Sequence, residues 1–226
     1  MQAVTDIASH EFFHIVTPLN IHSEIVDSFN FVDPTPSLHL WLYEGITEWA
    51  SNILLYRSGE ASLEEYLRGS VWQKIIVDQS YFDTTWSLRK LSEESFTTAG
   101  SKQYGNIYYK GSLMGNMLDI RFLELSDGEF GLREVLLDLI AQYGKGKPIS
   151  EANFFDDFAA VTFPEMKAFF QSYVLDGETF PIAEYFAKIG IEITGSTQQD
   201  LKVEKMSTIT GSQQKLFDAW SKNMER

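Results

Sequence analysis

Residues 10–14 read His-Glu-Phe-Phe-His, and residues 41–49 read Trp-Leu-Tyr-Glu-Gly-Ile-Thr-Glu-Trp. Around the first stretch, Val4, Ile7, Ala8, Phe12, Ile15 and Val16 recur at helical spacing and predict a helix over 3–17 with one apolar face. Pro18 stops it, because proline has no N–H for the next helical hydrogen bond. His10 and His14 are four residues apart, so on such a helix they share a face, one turn apart. Two imidazoles so placed converge on one metal ion, at about 2.0–2.1 Å for zinc. Glu11 projects beside them, within reach of a water at the metal rather than of the metal itself. It is the candidate general base, taking that water's proton and handing it to a leaving amine. Phe12 and Phe13, inside the motif, predict a buried flank that dries and holds the site.

A hydrolytic zinc site needs a third protein ligand and one open position. Ser37 offers an N-cap for a second long helix over 38–58, closed by Gly59. On it Glu44 is a carboxylate in an otherwise apolar stretch, costly to bury unless it is paired or bound to a metal. It is the candidate third ligand. Glu48 lies one turn on, where it can accept a hydrogen bond from His10 and fix that ring's tautomer. A solvated helix charge is the other reading of Glu48.

The rest of the chain reads as mainly α. Ser62 and Glu65 form a capping box for a helix over 63–80, and 83–104 is polar and loop-like. Asn106 caps a helix running through Leu125 to the Asp127-Gly128 turn, and Leu132 to Tyr143 is the next. Shorter helices fit 151–160, 164–174 and 181–189, and Ile-Gly-Ile-Glu-Ile at 189–193 alternates like a short strand. Residues 1–193 thus read as a helical domain with little or no sheet, and 194–226 as a looser polar tail with a possible last helix at 211–222.

Composition narrows the function classes. Hydrophobic residues make up 44% of the 226, enough for a buried core. Thirty-two acidic against 18 basic residues give a formal charge of -14, which repels phosphate backbones and anionic lipid surfaces. Nucleic acid and membrane partners are therefore set aside, and no apolar run approaches the roughly 20 residues of a membrane span. Without cysteine, a metal site must use His, Asp and Glu. The start has no basic-then-apolar leader, and the chemistry begins within ten residues of it. The expectation is that Met1 lies near an internal cut in a longer chain.

The two stretches together resemble the gluzincin superfamily of zinc peptidases, whose third ligand is a Glu on a helix after the His-Glu-x-x-His helix. Twenty-nine residues lie between His14 and Glu44. That gap is longer than in thermolysin-like enzymes and in the large aminopeptidases related to leukotriene hydrolase, and it suits the glycyl aminopeptidase family. His-Ile-Val-Thr-Pro-Leu-Asn-Ile-His at 14–22 is similar to that family's loop after the motif, and Tyr-Tyr-Lys-Gly at 108–111 to its Tyr-x-Lys-Gly segment. The segment 169–191 is similar to the end of its catalytic domain, so the resemblance covers about residues 4–193. It implies a thermolysin-like helical lobe, with His10, His14 and Glu44 on Zn2+, Glu11 as base and Tyr108 donating to the oxyanion, and Tyr104 and Tyr109 as alternatives to Tyr108. It also implies a peptide substrate with a small first residue such as Gly or Ala, and a periplasmic or secreted location. A β-rich N-terminal region of the family, with the lobe that holds the substrate backbone, has no counterpart here, and such a region of the same protein is expected to complete the cleft.

Other residues read more plainly. His22 and His39 are taken as surface histidines, with the cleft as the second reading, and Trp41, Trp49, Trp72 and Trp86 as core. Glu24, Asp27 and Asp33 sit in a proline-containing loop, but their spacing matches no calcium loop. The rival to a peptidase is a peptidase-like binding module without turnover. An intact His-Glu-x-x-His with a downstream Glu argues against decay.

Overall fold

The computed structural model describes residues 2–144 and 146–222; the side chains of residues 2–4 and 6, Val4 among them, lie outside the description. The described chain is mainly helical, with one small sheet. Helix α1 (Gln2–Phe13) carries the first motif and ends one residue before His14 rather than at 17. His14 N–H bonds to Glu11 O and Val16 N–H to Phe13 O, tightening the last turn, and Leu19 N–H reaches back to His14 O around Pro18. The Asn20 side chain caps Ile15 O at 2.7 Å.

Much of the apolar face expected on α1 is not buried, although Val16 packs against the core. Ile7 is 64% exposed and Phe12 62%, with Ile15 at 47%. The helix packs instead through the side that carries His10, which is 8% exposed. Alternation alone marks a stripe; it does not say whether the described chain covers it.

After the short α2 (Glu24–Asp27), the second long helix opens with a π-helical turn at Trp41–Gly45 and continues as α3 (Ile46–Arg57), with Gly59 at φ +81° just past its end. It starts later than Ser37 implied. That serine accepts from His39 N–H and donates to Glu151, tying the loop to a distant segment. The Ser62–Glu65 capping box opens α4 (Leu63–Tyr66), which runs through a π turn at Leu67–Trp72 into α5 (Gln73–Tyr81).

Residues 83–104 hold two short helices where a loop was expected, α6 (Leu88–Glu93) and α7 (Thr98–Gln103). Each has its own hydroxyl cap, Ser87 to Lys90 N–H and Thr97 to Gly100 N–H. Leu88 and Leu91 bury the single apolar edge of α6.

Helix α8 (Asn106–Leu125) runs through the middle of the core, buried on nearly every side. Its N-cap is Gly105; Asn106 is already helical and donates to Asp78 at 2.7 Å. Helix α8 meets the Glu44 segment backbone to backbone. A Cβ on Gly45 would lie 2.5 Å from Gly111 Cα, and one on Gly115 would lie 2.5 Å from Trp49. Glycine at these places lets the two helices touch and fixes Glu44 against the start of α8.

The chain then turns at Asp127 and Gly128, both at positive φ, into α9 (Leu132–Tyr143). It continues through α10 (Phe154–Val161), α11 (Met166–Phe170, extended by a π turn at Gln171–Leu175) and α12 (Ile182–Lys188). Strand β1 (Ile191–Thr194) pairs antiparallel with β2 (Lys202–Lys205), Ile191 opposite Lys205 and Thr194 opposite Lys202. Helix α13 (Gly211–Trp220) follows, capped by Thr210 and Gln213.

The described residues past 193 thus hold a strand and a helix that pack on the rest of the chain. Trp220 is fully buried against Tyr56, Tyr66 and Phe186, and its carbonyl accepts from Arg57 Nε at 2.8 Å. Arg57 in turn pairs with the fully buried Asp119 at 2.6 Å, whose other oxygen accepts from Leu132 N–H. Trp41 and Trp49 are fully buried, and Trp72 and Trp86 half-buried.

His39 corrects the surface reading. It is fully buried against Phe154 and Phe155, with Nε2 donating to Glu151 O at 3.1 Å. His22 is held by Pro18 O at 2.7 Å and Asp27 at 3.2 Å, and Glu24 accepts from Glu151 N–H. These groups pin the 18–39 loop to the segment around 151, and neither histidine lines the cleft described next.

Candidate metal centre

His10, His14 and Glu44 come together from α1, the turn after it and the π turn at Trp41–Gly45. One nitrogen of each ring and one oxygen of the carboxylate lie within 4.8 Å of one another. His10 Nε2 is 3.4 Å from Glu44 Oε2, and His14 Nε2 is 3.7 Å from the same oxygen. The second nitrogen of each ring is already committed. His14 Nδ1 donates to Thr17 O at 2.8 Å, and His10 Nδ1 faces Glu48 Oε2 at 3.0 Å. Both Nε2 atoms are thereby directed at the shared point, which is the arrangement of a metal-ligating histidine with an outer partner. Thr17 is itself buried, its hydroxyl 3.0 Å from Thr47 on α3, so the turn that aims His14 is tied to the helix after Glu44.

Glu48 divides its two oxygens. Oε2 faces His10, while Oε1 accepts from the Lys74 ammonium and from Asn52 Nδ2 at 3.2 Å. Lys74 is on α5, 8% exposed, with its ammonium 4.9 Å from the centre of the Tyr109 ring. Neither Lys74 nor Asn52 was legible as a site residue. The signal available for Lys74 was the one that marks Glu44, a charge inside an apolar run, here Ile75-Ile76-Val77.

The charges reinforce each other. Burial works against the protonated form of His10, but its hydrogen bonds to Glu44 and Glu48 and their negative charges outweigh this and lift its pKa to about 9. Burial likewise opposes ionisation of Glu48, yet His10 and Lys74 hold its pKa down at about 2. Glu44 is shifted the same way, against burial, by His10, His14 and Tyr108.

Tyr108 stands at the edge of this cluster, its ring centre 5.6 Å from that of His10. Its hydroxyl bonds to Glu44 and Tyr104. Burial first, and then the Glu44 charge, push its pKa well above the ordinary phenol value, so it remains a neutral donor. The Tyr104 ring lies tilted beside it, centres 6.1 Å apart, whereas Tyr109 turns to Phe82 and Lys74. Glu11 is exposed and lines the same open cleft of about 460 Å³ as Ile7, His10, His14, Glu44 and Tyr108. The structure thus brings His10, Glu11, His14, Glu44, Glu48 and Tyr108 to one cleft and leaves Tyr109 outside it. The donor set, two imidazoles and a carboxylate with no sulfur, fits zinc with a position left for water or substrate.

Residues 3–114, which contain all of these groups, match the M61 glycyl aminopeptidase family. No curated protein matches the chain. Among solved structures it is similar to an aminopeptidase N family protein from Idiomarina loihiensis, with a TM-score of 0.72 at 18% identity. That likeness, which concerns the fold, covers 91% of this chain and 41% of the other, so the chain spans less than half of that protein's length. The segment that carries the His10–His14–Glu44 cluster is thus the one that matches the M61 glycyl aminopeptidase family.

Proposed function

We propose that this chain is the metal-bearing helical part of a zinc-dependent aminopeptidase. One observation carries the reading: His10 Nε2, His14 Nε2 and Glu44 Oε2 converge while each ring's Nδ1 is held by an acceptor. When bound there, zinc supplies Lewis acidity, polarising a peptide carbonyl and making a nearby water more acidic. Glu11, exposed to the cleft, takes that water's proton and returns it to the leaving amine. The Tyr108 hydroxyl donates to the carbonyl oxygen as negative charge builds on it, a role a neutral phenol at the cleft edge suits. A peptide lying over the cleft must also be gripped along its backbone. The exposed Ile7 and Phe12 beside the motif, and a structural relative more than twice as long, support a further region of the same protein as the part that does this.

The test is Glu11→Gln in the longest available form of the protein. Zinc content should stay at the unmodified level while peptide hydrolysis falls by about 100-fold or more. Hydrolysis that survives the change would remove Glu11 from its role. Zinc binding by the unmodified protein without any hydrolysis would favour a peptidase-like binding module.

A further inference from the structure

We infer that Lys74 is a positioning residue of this centre: acting through Glu48, it decides which nitrogen of His10 carries the proton. The inference builds on the zinc reading above. The contacts run in a line from α5 to the cleft. Lys74 Nζ donates to Glu48 Oε1, Glu48 Oε2 accepts from His10 Nδ1 at 3.0 Å, and His10 Nε2 faces Glu44. Lysine can only donate. Whatever atom of residue 48 faces it must therefore be an acceptor. Asn52 Nδ2 adds a second donor to the same oxygen at 3.2 Å. With a carboxylate at 48 both ends accept, and His10 is free to place its proton on Nδ1.

Lys74 is also built into the fold rather than reaching in from solvent. It is 8% exposed, it lies in the first turn of the helix that packs against α8, and its ammonium is 4.9 Å from the centre of the Tyr109 ring. A lysine at that depth needs an anionic partner, and Glu48 is the one it has here.

The line of donors makes a prediction that a merely structural lysine does not. In Glu48→Gln, Lys74 captures the amide oxygen, so the amide NH2 turns to His10 Nδ1. That nitrogen must then accept, and the ring proton moves to Nε2, where it blocks the metal position. Adding Lys74→Met removes the charged donor and leaves only the longer contact from Asn52 Nδ2 at 3.2 Å. The amide can flip, its oxygen can accept from Nδ1–H again, and Nε2 is freed. The second mutation should therefore repair the first.

Zinc affinity of the full chain, measured by competition with a chromophoric chelator, should fall about 100-fold in Glu48→Gln and recover about tenfold in Glu48→Gln/Lys74→Met. Long-range nitrogen-15 NMR of the His10 ring, on the two variants stripped of metal and at alkaline pH, reads the tautomer without any zinc. The expected result is an Nε2–H tautomer in the single variant and Nδ1–H in the double. The same tautomer in both overturns the inference, whatever zinc does. If even the unmodified chain takes up no zinc, the zinc reading falls, and the tautomer comparison still decides the role of Lys74. Should the double variant not fold, Lys74→Gln replaces Lys74→Met with the same expectation, because an amide can accept as well as donate.

Discussion

The two elements that supply the metal cluster are held in different ways. The segment bearing Glu44 is locked into the core. Trp41 and Trp49 on either side of it are fully buried, and Gly45 touches Gly111 of α8 backbone to backbone. Helix α1, bearing His10, lies on the surface, with Ile7 and Phe12 mostly exposed and only the His10 side turned inward. Beside the packing of Val16 against the core, polar contacts tie α1 and the turn after it down: His10 to Glu48, and Thr17 to Thr47. The site is thus a rigid half with a lighter half docked onto it by the same groups that would hold the metal. In the metal-free protein α1 should be the less stable partner, and a metal ion should act as its missing fastener.

The largest effect should come from breaking the rigid half. Gly111→Ala puts a methyl group 2.6 Å from Gly45 Cα, against backbone that has nowhere to go. A loss of about 3 kcal/mol is expected in urea denaturation, at the upper end of ordinary overpacking. Phe12→Ala, on the exposed side of α1, should cost no more than about 0.5 kcal/mol. Similar costs for the two would erase the distinction between the halves.

Zinc should sharpen the contrast next. At a hundredfold excess over its dissociation constant it should stabilise the chain by about 2.7 kcal/mol. Hydrogen exchange should show the gain concentrated in α1 and the turn after it, with α8 little changed. Protection spread evenly over both would mean that α1 is already as firmly fixed as the core.

The smallest effect is one of pH. His10 has a folded-state pKa raised from 6.5 to about 9 by Glu44 and Glu48 against the pull of burial. The stability this contributes is fully present below about pH 6.5 and is lost as pH rises through about 9. Allowing for solvent at the open cleft, the loss should be on the order of 1 kcal/mol in the metal-free protein. His10→Gln should flatten that slope, and a slope that persists unchanged would assign it to another group.

The two halves also differ in how far the sequence reveals them. The candidate cluster was legible because the four-residue spacing of two histidines and a carboxylate in an apolar stretch are chemical statements in themselves. Helices α8 and α9 were legible because their ends carry strong signals, Asp127-Gly128 at positive φ and Gly144 after Tyr143. The exposed face of α1 was not, since a hydrophobic stripe reads the same whether or not a partner covers it. Helices α6 and α7 were hidden by polar composition and are short enough that one serine or threonine cap decides each. Strand β2, Lys-Val-Glu-Lys at 202–205, has one apolar residue and exists only through its pairing with β1. The burial of His39 and the part played by Lys74 depend on contacts more than twenty residues away, which no local pattern encodes.

His10, His14 and Glu44 should act as one metal centre. Elemental analysis of the purified chain after zinc reconstitution, beside Glu44→Ala, tests it most directly. About one zinc per chain, falling to near none in the variant, is the predicted result. Equal zinc in the two proteins, or none in the unmodified chain, would contradict it.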